Sequence, residues 1–218
     1  MQDHVVIAID GPAASGKSSV ARELARRLGF VYVNSGAMYR AVTWHLLEAG
    51  IDPANRSGIE SEMARLQIRC ELRDGESGIL INDIDPSDHL REDAVNNSVS
   101  IISSLPRVRE ILVEKMRSYA RDHDVVMEGR DIGSVVFPET PFKFYIDAAP
   151  EVRSQRRAAQ GQRDQIATRD HADSSRRASP LVIAKDAEVI DTSHLTIEGV
   201  VSEILVRLKS KNLDLRLS

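Results

Sequence analysis

The sequence predicts an α/β fold built on a parallel sheet, and three observations carry that expectation. Short apolar runs alternate with amphipathic helical stretches along much of the chain. The first run, Val5 to Ile9, is apolar throughout, as a strand buried on both faces should be. A glycine-containing loop follows it and leads directly into a helix on which Val20, Leu24 and Leu28 recur every four residues, with Gly29 as its stop.

The remaining elements follow in order. Phe30 to Val33 reads as a second strand, and Ala37 to Ala49 as a helix ended by Gly50 and Pro53. Ile68, Cys70 and Leu72 then alternate with polar residues, Asp74 to Gly78 reads as a turn, and Ile79 to Ile81 returns. That pattern predicts an antiparallel hairpin with one wet face, within an insertion covering about 60–100. Pro106 opens a helix carrying Val108, Ile111, Leu112 and Met116 on one side. Val125 to Met127, Phe142 to Ile146 and Glu188 to Ile190 are further strands, and Ile197, Val201, Ile204 and Leu208 mark the last helix.

Composition narrows the function. With 42% hydrophobic and 28% charged residues in 218, a buried core is expected and bulk disorder is not. The single cysteine, Cys70, excludes an intrachain disulfide and a cysteine-built zinc site. No apolar run approaches the roughly 18 residues of a membrane helix. A net charge of −4 argues against a general nucleic-acid binder. A cytoplasmic protein without membrane or nucleic-acid partners is expected. Charge is uneven: residues 151–177 hold seven arginines against four carboxylates.

Gly11-Pro12-Ala13-Ala14-Ser15-Gly16-Lys17-Ser18 fits G-x-x-x-x-G-K-[ST], after a buried strand and before a helix. Glycines let the backbone curl so that successive N–H groups converge on phosphate oxygens, and the helix adds its positive end. Lys17 brings a charge to the β- and γ-phosphates, and the Ser18 hydroxyl can help hold Mg²⁺. With Ser19 beside them, these residues predict a site for ATP and Mg²⁺. They leave the phosphate acceptor open.

Three polar clusters point to the acceptor. Asn34-Ser35-Gly36-Ala37-Met38-Tyr39-Arg40 lies at a strand's carboxyl end, where open α/β sheets bind ligands, and Arg40 could clamp an anion there. Glu128-Gly129-Arg130-Asp131 ends a second strand, and an Arg–Asp pair between glycines is costly to bury without a task. In the third cluster Arg169, Asp173 and Arg176 share one helical face.

At this point the sequence resembles the bacterial cytidylate kinases, a branch of the nucleoside monophosphate kinases. The resemblance spans about Val5 to Leu205 and rests on IDGPAASGKS, SGAMYR, LPRVRE, EGRDIGSVVFP, RDHADSSRRASPL and a late VIDTS, in that order. It implies a P-loop three-layer fold with a five-stranded parallel sheet, in which the core takes about 1–59, 101–150 and 178–218. It also implies an inserted CMP-binding region with a small antiparallel sheet, and a short lid at about 151–177. The implied reaction moves the ATP γ-phosphate to CMP or dCMP with Mg²⁺, in a monomer of pyrimidine metabolism.

Cytosine offers a donor at N4 and acceptors at N3 and O2, so a selective pocket needs a fixed acceptor and a fixed donor. By the resemblance, Asp131 accepts from N4, Arg109 donates to N3 and O2, and Ser35 helps at the base edge. Arg40, Arg130 and Arg176 take the CMP phosphate. Asp173, oriented by Arg169, takes the ribose hydroxyls, with Ser100 nearby. Lys17, Arg130, Arg153 and Arg157 are the expected catalytic cations, the last two from the lid. Two departures from the family pattern stand out: Asn34 replaces a common aspartate, and the stretch between Arg157 and Arg169 is short. The competing readings are another small-molecule P-loop kinase, of UMP or shikimate type, and a nucleotide-binding regulator without catalysis.

Overall fold

The structure, a computed structural model, describes residues 4–159, 170, 173–175 and 180–213. Seven strands form one sheet: β1 (Val6–Asp10), β2 (Val31–Asn34), β3 (Ile68–Arg73), β4 (Glu76–Ile81), β5 (Val125–Gly129), β6 (Phe142–Asp147) and β7 (Glu188–Asp191). Their order is β3-β4-β2-β5-β1-β6-β7. The run β2-β5-β1-β6-β7 is the expected five-stranded parallel core.

Pleating sorts the core into three layers. Ile7 and Ile9 of β1 and Val126 of β5 face one side, against α1 (Lys17–Leu28) and the C-terminal helix (Ile197–Ser210). Ala8, Val125 and Met127 face the other. There the cover is α2 (Ser35–Glu48), α3 (Arg56–Met63), α4 (Asp93–Ile102) and α5 (Pro106–Asp122). A helix α6 (Pro150–Ala159) follows β6; the C-terminal helix is therefore α7.

Local chemistry sets the boundaries. Gly16 and Gly29 flank α1 with φ of 93° and 66°, left-handed values that favour glycine. The second helix begins two residues before the expected Ala37, because the Asn34 side chain caps it by accepting from Ala37 N–H at 3.0 Å. Pro106 sits in the first turn of α5, and Val108, Leu112 and Met116 are buried as expected.

The hairpin departs from expectation in two respects. Its turn is only Asp74-Gly75, both with positive φ, so Glu76 to Gly78 belong to β4 rather than to a loop. It also extends the main sheet rather than forming a sheet of its own. Tyr32 N–H donates to Gly75 O at 2.9 Å, and Arg22 holds the Glu76 carboxylate through two hydrogen bonds. Those ties bring β4 alongside β2.

The carboxyl ends of β1, β2 and β5 open on the same side. β1 lies between β5 and β6, both later in the chain, so the loop after β1 emerges where the connections diverge.

Candidate active site

A cleft of about 840 Å³ opens there. One wall is the phosphate loop, with Ala13 to Ser19 lining the space. Gly11 and Pro12 form the loop's base and are not among its lining residues. A Cβ on Gly11 would collide with the Ile146 carbonyl, so only glycine lets the loop pass β6. Ala14 holds a φ of 58°, an uncommon conformation for a residue with a side chain.

The loop's carbonyls are tied by side chains, one from the loop itself and the rest from outside it. Gly11 O accepts from Arg130 at 2.9 Å, and Pro12 O from Lys17 Nζ at 2.9 Å. Ala13 O accepts from Arg153 at 3.2 Å. Ser15 O accepts from Arg156 at 3.2 Å and from the Thr192 hydroxyl at 2.9 Å. With the carbonyls held by cations and a hydroxyl, the chain stays curled, although one loop N–H, that of Ala13, is already taken by the Asp170 carboxylate. Ser15 Oγ is buried and has no hydrogen-bond partner among the described residues. Ser18 lines the cleft one residue past Lys17.

The opposite wall is made of side chains. Arg109 and Asp131 are both about 5% exposed and form an ion pair, and Arg109 also donates to Ser103 O at 3.2 Å. The Arg109 guanidinium lies 5.5 Å from the Tyr39 ring centre. Buried Ser35 opens α2, and a Cβ on Gly129 would stand 2.5 Å from its Oγ, so the strand end must be glycine. Ser100 of α4 lines the same wall. Arg40 reaches across to Leu90 O at 3.0 Å and Asn96 Oδ1 at 2.6 Å, which anchors the approach to α4. Glu128 is buried at the cleft and accepts from the Tyr32 hydroxyl at 2.8 Å. Burial and the Glu128 charge push that hydroxyl's pKa well above the usual tyrosine range.

Between the walls, Arg130 carries its Nε 3.1 Å from Asp173 and another nitrogen 3.7 Å from Asp170. Asp173 is almost fully buried behind Arg130 and is not among the residues lining the cleft. Arg153, expected to reach phosphates from a lid, spans Ala148 O, Ala13 O and the Asp170 carboxylate beside the phosphate loop. Asp170 in turn accepts from Ala13 N–H at 3.1 Å. Arg157 lines the cleft. Arg169 and Arg176 lie outside the described residues.

Four positions escaped the sequence reading. Arg156 was passed over beside Arg153 and Arg157, although the three share a helical face. Thr192 lies within the VIDTS match. Asp170 sits beside Arg169. Asp10 was absorbed into the loop motif; the available signal was a lone acid ending an otherwise apolar strand. Burial pushes its carboxyl up to about 7, against the pull of two backbone donors, Gly133 and Ile132.

A phosphate-binding loop facing buried arginine–carboxylate chemistry across one cleft defines a phosphotransferase of the P-loop class. A family model described as cytidylate kinase matches residues 7–210, and the chain belongs to that family. The cytidylate kinase of Pelotomaculum thermopropionicum is 41% identical over 216 residues, covering 94% of this chain and 96% of the relative. That of Mycobacterium leprae is 41% identical over 220 residues, with 95% and 97% covered. Among solved structures, the Deinococcus radiodurans tunicamycin resistance protein matches with a TM-score of 0.51 at 16% identity, over 99% of this chain and 98% of that one. That likeness shows the fold alone.

Proposed function

We propose that the chain transfers the γ-phosphoryl group of ATP to CMP and dCMP, acting as a cytoplasmic monomer in pyrimidine nucleotide metabolism. The observation that carries this reading is family membership over nearly the whole chain, joined to a cleft with the phosphate loop on one wall and the Arg109–Asp131 pair on the other.

Asp131 accepts from cytosine N4, Arg109 donates to the ring acceptors, and Ser35 completes the base edge. Arg40 and Arg130 hold the acceptor phosphate, with Arg176 as a further fork; Asp173, Arg169 and Ser100 serve the sugar. The acceptor phosphate oxygen is itself the nucleophile and is ionised at neutral pH, so no general base is needed. The chain's task is alignment and charge neutralisation. Lys17 meets the β- and γ-phosphates, and Arg153 and Arg157 add charge from the α6 side. Exclusion of water would keep the phosphoryl group from hydrolysis, and the lid expected to provide it lies mostly outside the described residues.

The donor set suits Mg²⁺. The Ser18 hydroxyl and the Glu128 carboxylate are hard oxygens on the cleft, and no group of three His, Cys, Asp or Glu gathers among the described residues. Ser18 would hold the ion together with the ATP phosphates. When bound, it supplies charge that neutralises the phosphoryl oxygens.

A panel of CMP, dCMP, UMP, AMP and shikimate, each with ATP and Mg²⁺, tests the proposal. Turnover confined to the cytidine nucleotides is expected. Preference for UMP or shikimate would transfer the chain to one of those kinase types, and an absence of acceptor-dependent ATP consumption would favour the regulator.

A further inference from the structure

Asp10 is the last residue of β1, one step before the phosphate loop. It is 5% exposed, yet both carboxylate oxygens are used: one accepts from Ile132 N–H at 2.8 Å and the other from Gly133 N–H at 2.7 Å. These amides open the π-helical turn Ile132–Val136, where N–H groups have no partner inside the turn. One residue further on, Gly11 O accepts from Arg130 at 2.9 Å. Residues 10–11 and 130–133 are thus interlocked by three bonds beyond the last strand pair, Asp10 with Gly129.

A buried carboxylate is an expensive way to satisfy two amides. What it provides when ionised is two acceptors on one rigid fork, which no neutral side chain of this size offers. The fork holds the residues on either side of the cleft at one separation. In-line phosphoryl transfer depends on that separation, and a misplacement of about 1 Å can cost on the order of 10²-fold.

We propose that Asp10 is a positioning residue for phosphoryl transfer, its two carboxylate oxygens holding Ile132 and Gly133 so that Arg130 and Asp131 keep a fixed place relative to the phosphate loop. The proposal rests on reading Arg130 and Asp131 as acceptor residues.

The test is Asp10→Asn, which keeps one acceptor and turns an NH₂ donor towards the other amide. The KM for CMP should rise about 10-fold and kcat fall about 10-fold, while the KM for ATP stays within about 3-fold. Unchanged CMP constants in a folded variant would overturn the proposal. So would equal rises in the KM of CMP and ATP, which mark a general support of the fold. Should Asp10→Asn not fold, Gly133→Ala decides: its Cβ would stand 3.1 Å from Lys143 Cγ and 3.4 Å from Asp10 Oδ2. It should give the same split at about 3-fold, and unaltered constants would overturn the proposal equally. Asp131→Asn, assayed alongside for its CMP-to-UMP ratio, separates the two claims. An unchanged ratio there removes the base assignment, while the Asp10 split is still read from CMP and ATP alone.

Discussion

The two walls of the cleft, on the proposed function, would bind charged ligands by opposite means. Apart from Lys17 and Ser18, the phosphate loop presents backbone and small side chains; most of the side chains that grip its carbonyls lie outside it, on Arg130, Arg153, Arg156 and Thr192. The acceptor wall presents side chains from α2, α4, α5 and the end of β5, bound to one another. Backbone amides are the same in every sequence, so the loop can serve any triphosphate, and its quality depends on scaffolding. Side chains carry donor and acceptor identity, so choice of substrate belongs to the opposite wall.

Substitutions on each side test that contrast. The largest effect is expected from Lys17→Ala, which removes a charge used mainly as the phosphoryl group moves. Turnover should fall about 10²-fold or more while CMP binding, read by calorimetry, is retained. Near-normal turnover would detach the loop from the chemistry.

The next effect is on stability. Burial raises the Asp10 carboxyl from its ordinary 3.8 to about 7. Between those values the folded protein keeps a proton that the unfolded chain has released, so stability is highest at the acid end and falls as pH rises through 7. Asp10→Asn cannot titrate. Its stability relative to the parent should therefore improve between pH 5 and pH 8, by about 2 kcal/mol in urea unfolding. A difference that does not change with pH would mean that Asp10 stays ionised throughout.

Asp131→Asn acts on the side-chain wall alone. An amide can turn to donate to uracil O4, so the CMP-to-UMP ratio of kcat/KM should collapse by at least about 10-fold. A constant ratio would move base reading to Arg109 and Ser35. The smallest effect is expected from Arg156→Ala. Thr192 still holds Ser15 O, so the KM for ATP should rise only about 5-fold with CMP unaffected. A change confined to CMP would break the contrast between the walls.

The same contrast explains what the sequence could disclose. The loop is contiguous, so spacing alone reveals it. The parallel core is legible because Val6 to Ile9 and Val125 to Met127 are apolar throughout, and α1 because its period and its two glycines agree. The loop's support is illegible because Arg156 and Ser15 are 141 residues apart, and Asp10 and Ile132 are 122 apart. The hairpin's place in the main sheet turned on Tyr32 meeting Gly75 and Glu76, which no periodicity encodes. The proposed acceptor residues are nameable only through their motifs, and the burial of Asp173 behind Arg130 needs three dimensions.

No side chain of helix α6 is fully buried, although that of Arg153 is only 13% exposed, and Arg153 and Arg156 attach the helix to the loop through carbonyl oxygens. Detaching such a helix exposes little apolar surface. Its opening should therefore carry almost no heat-capacity change and almost no dependence on urea, unlike global unfolding. Amides of α6 should exchange with deuterium at rates indifferent to low urea, while those of β1 and β5 quicken with it.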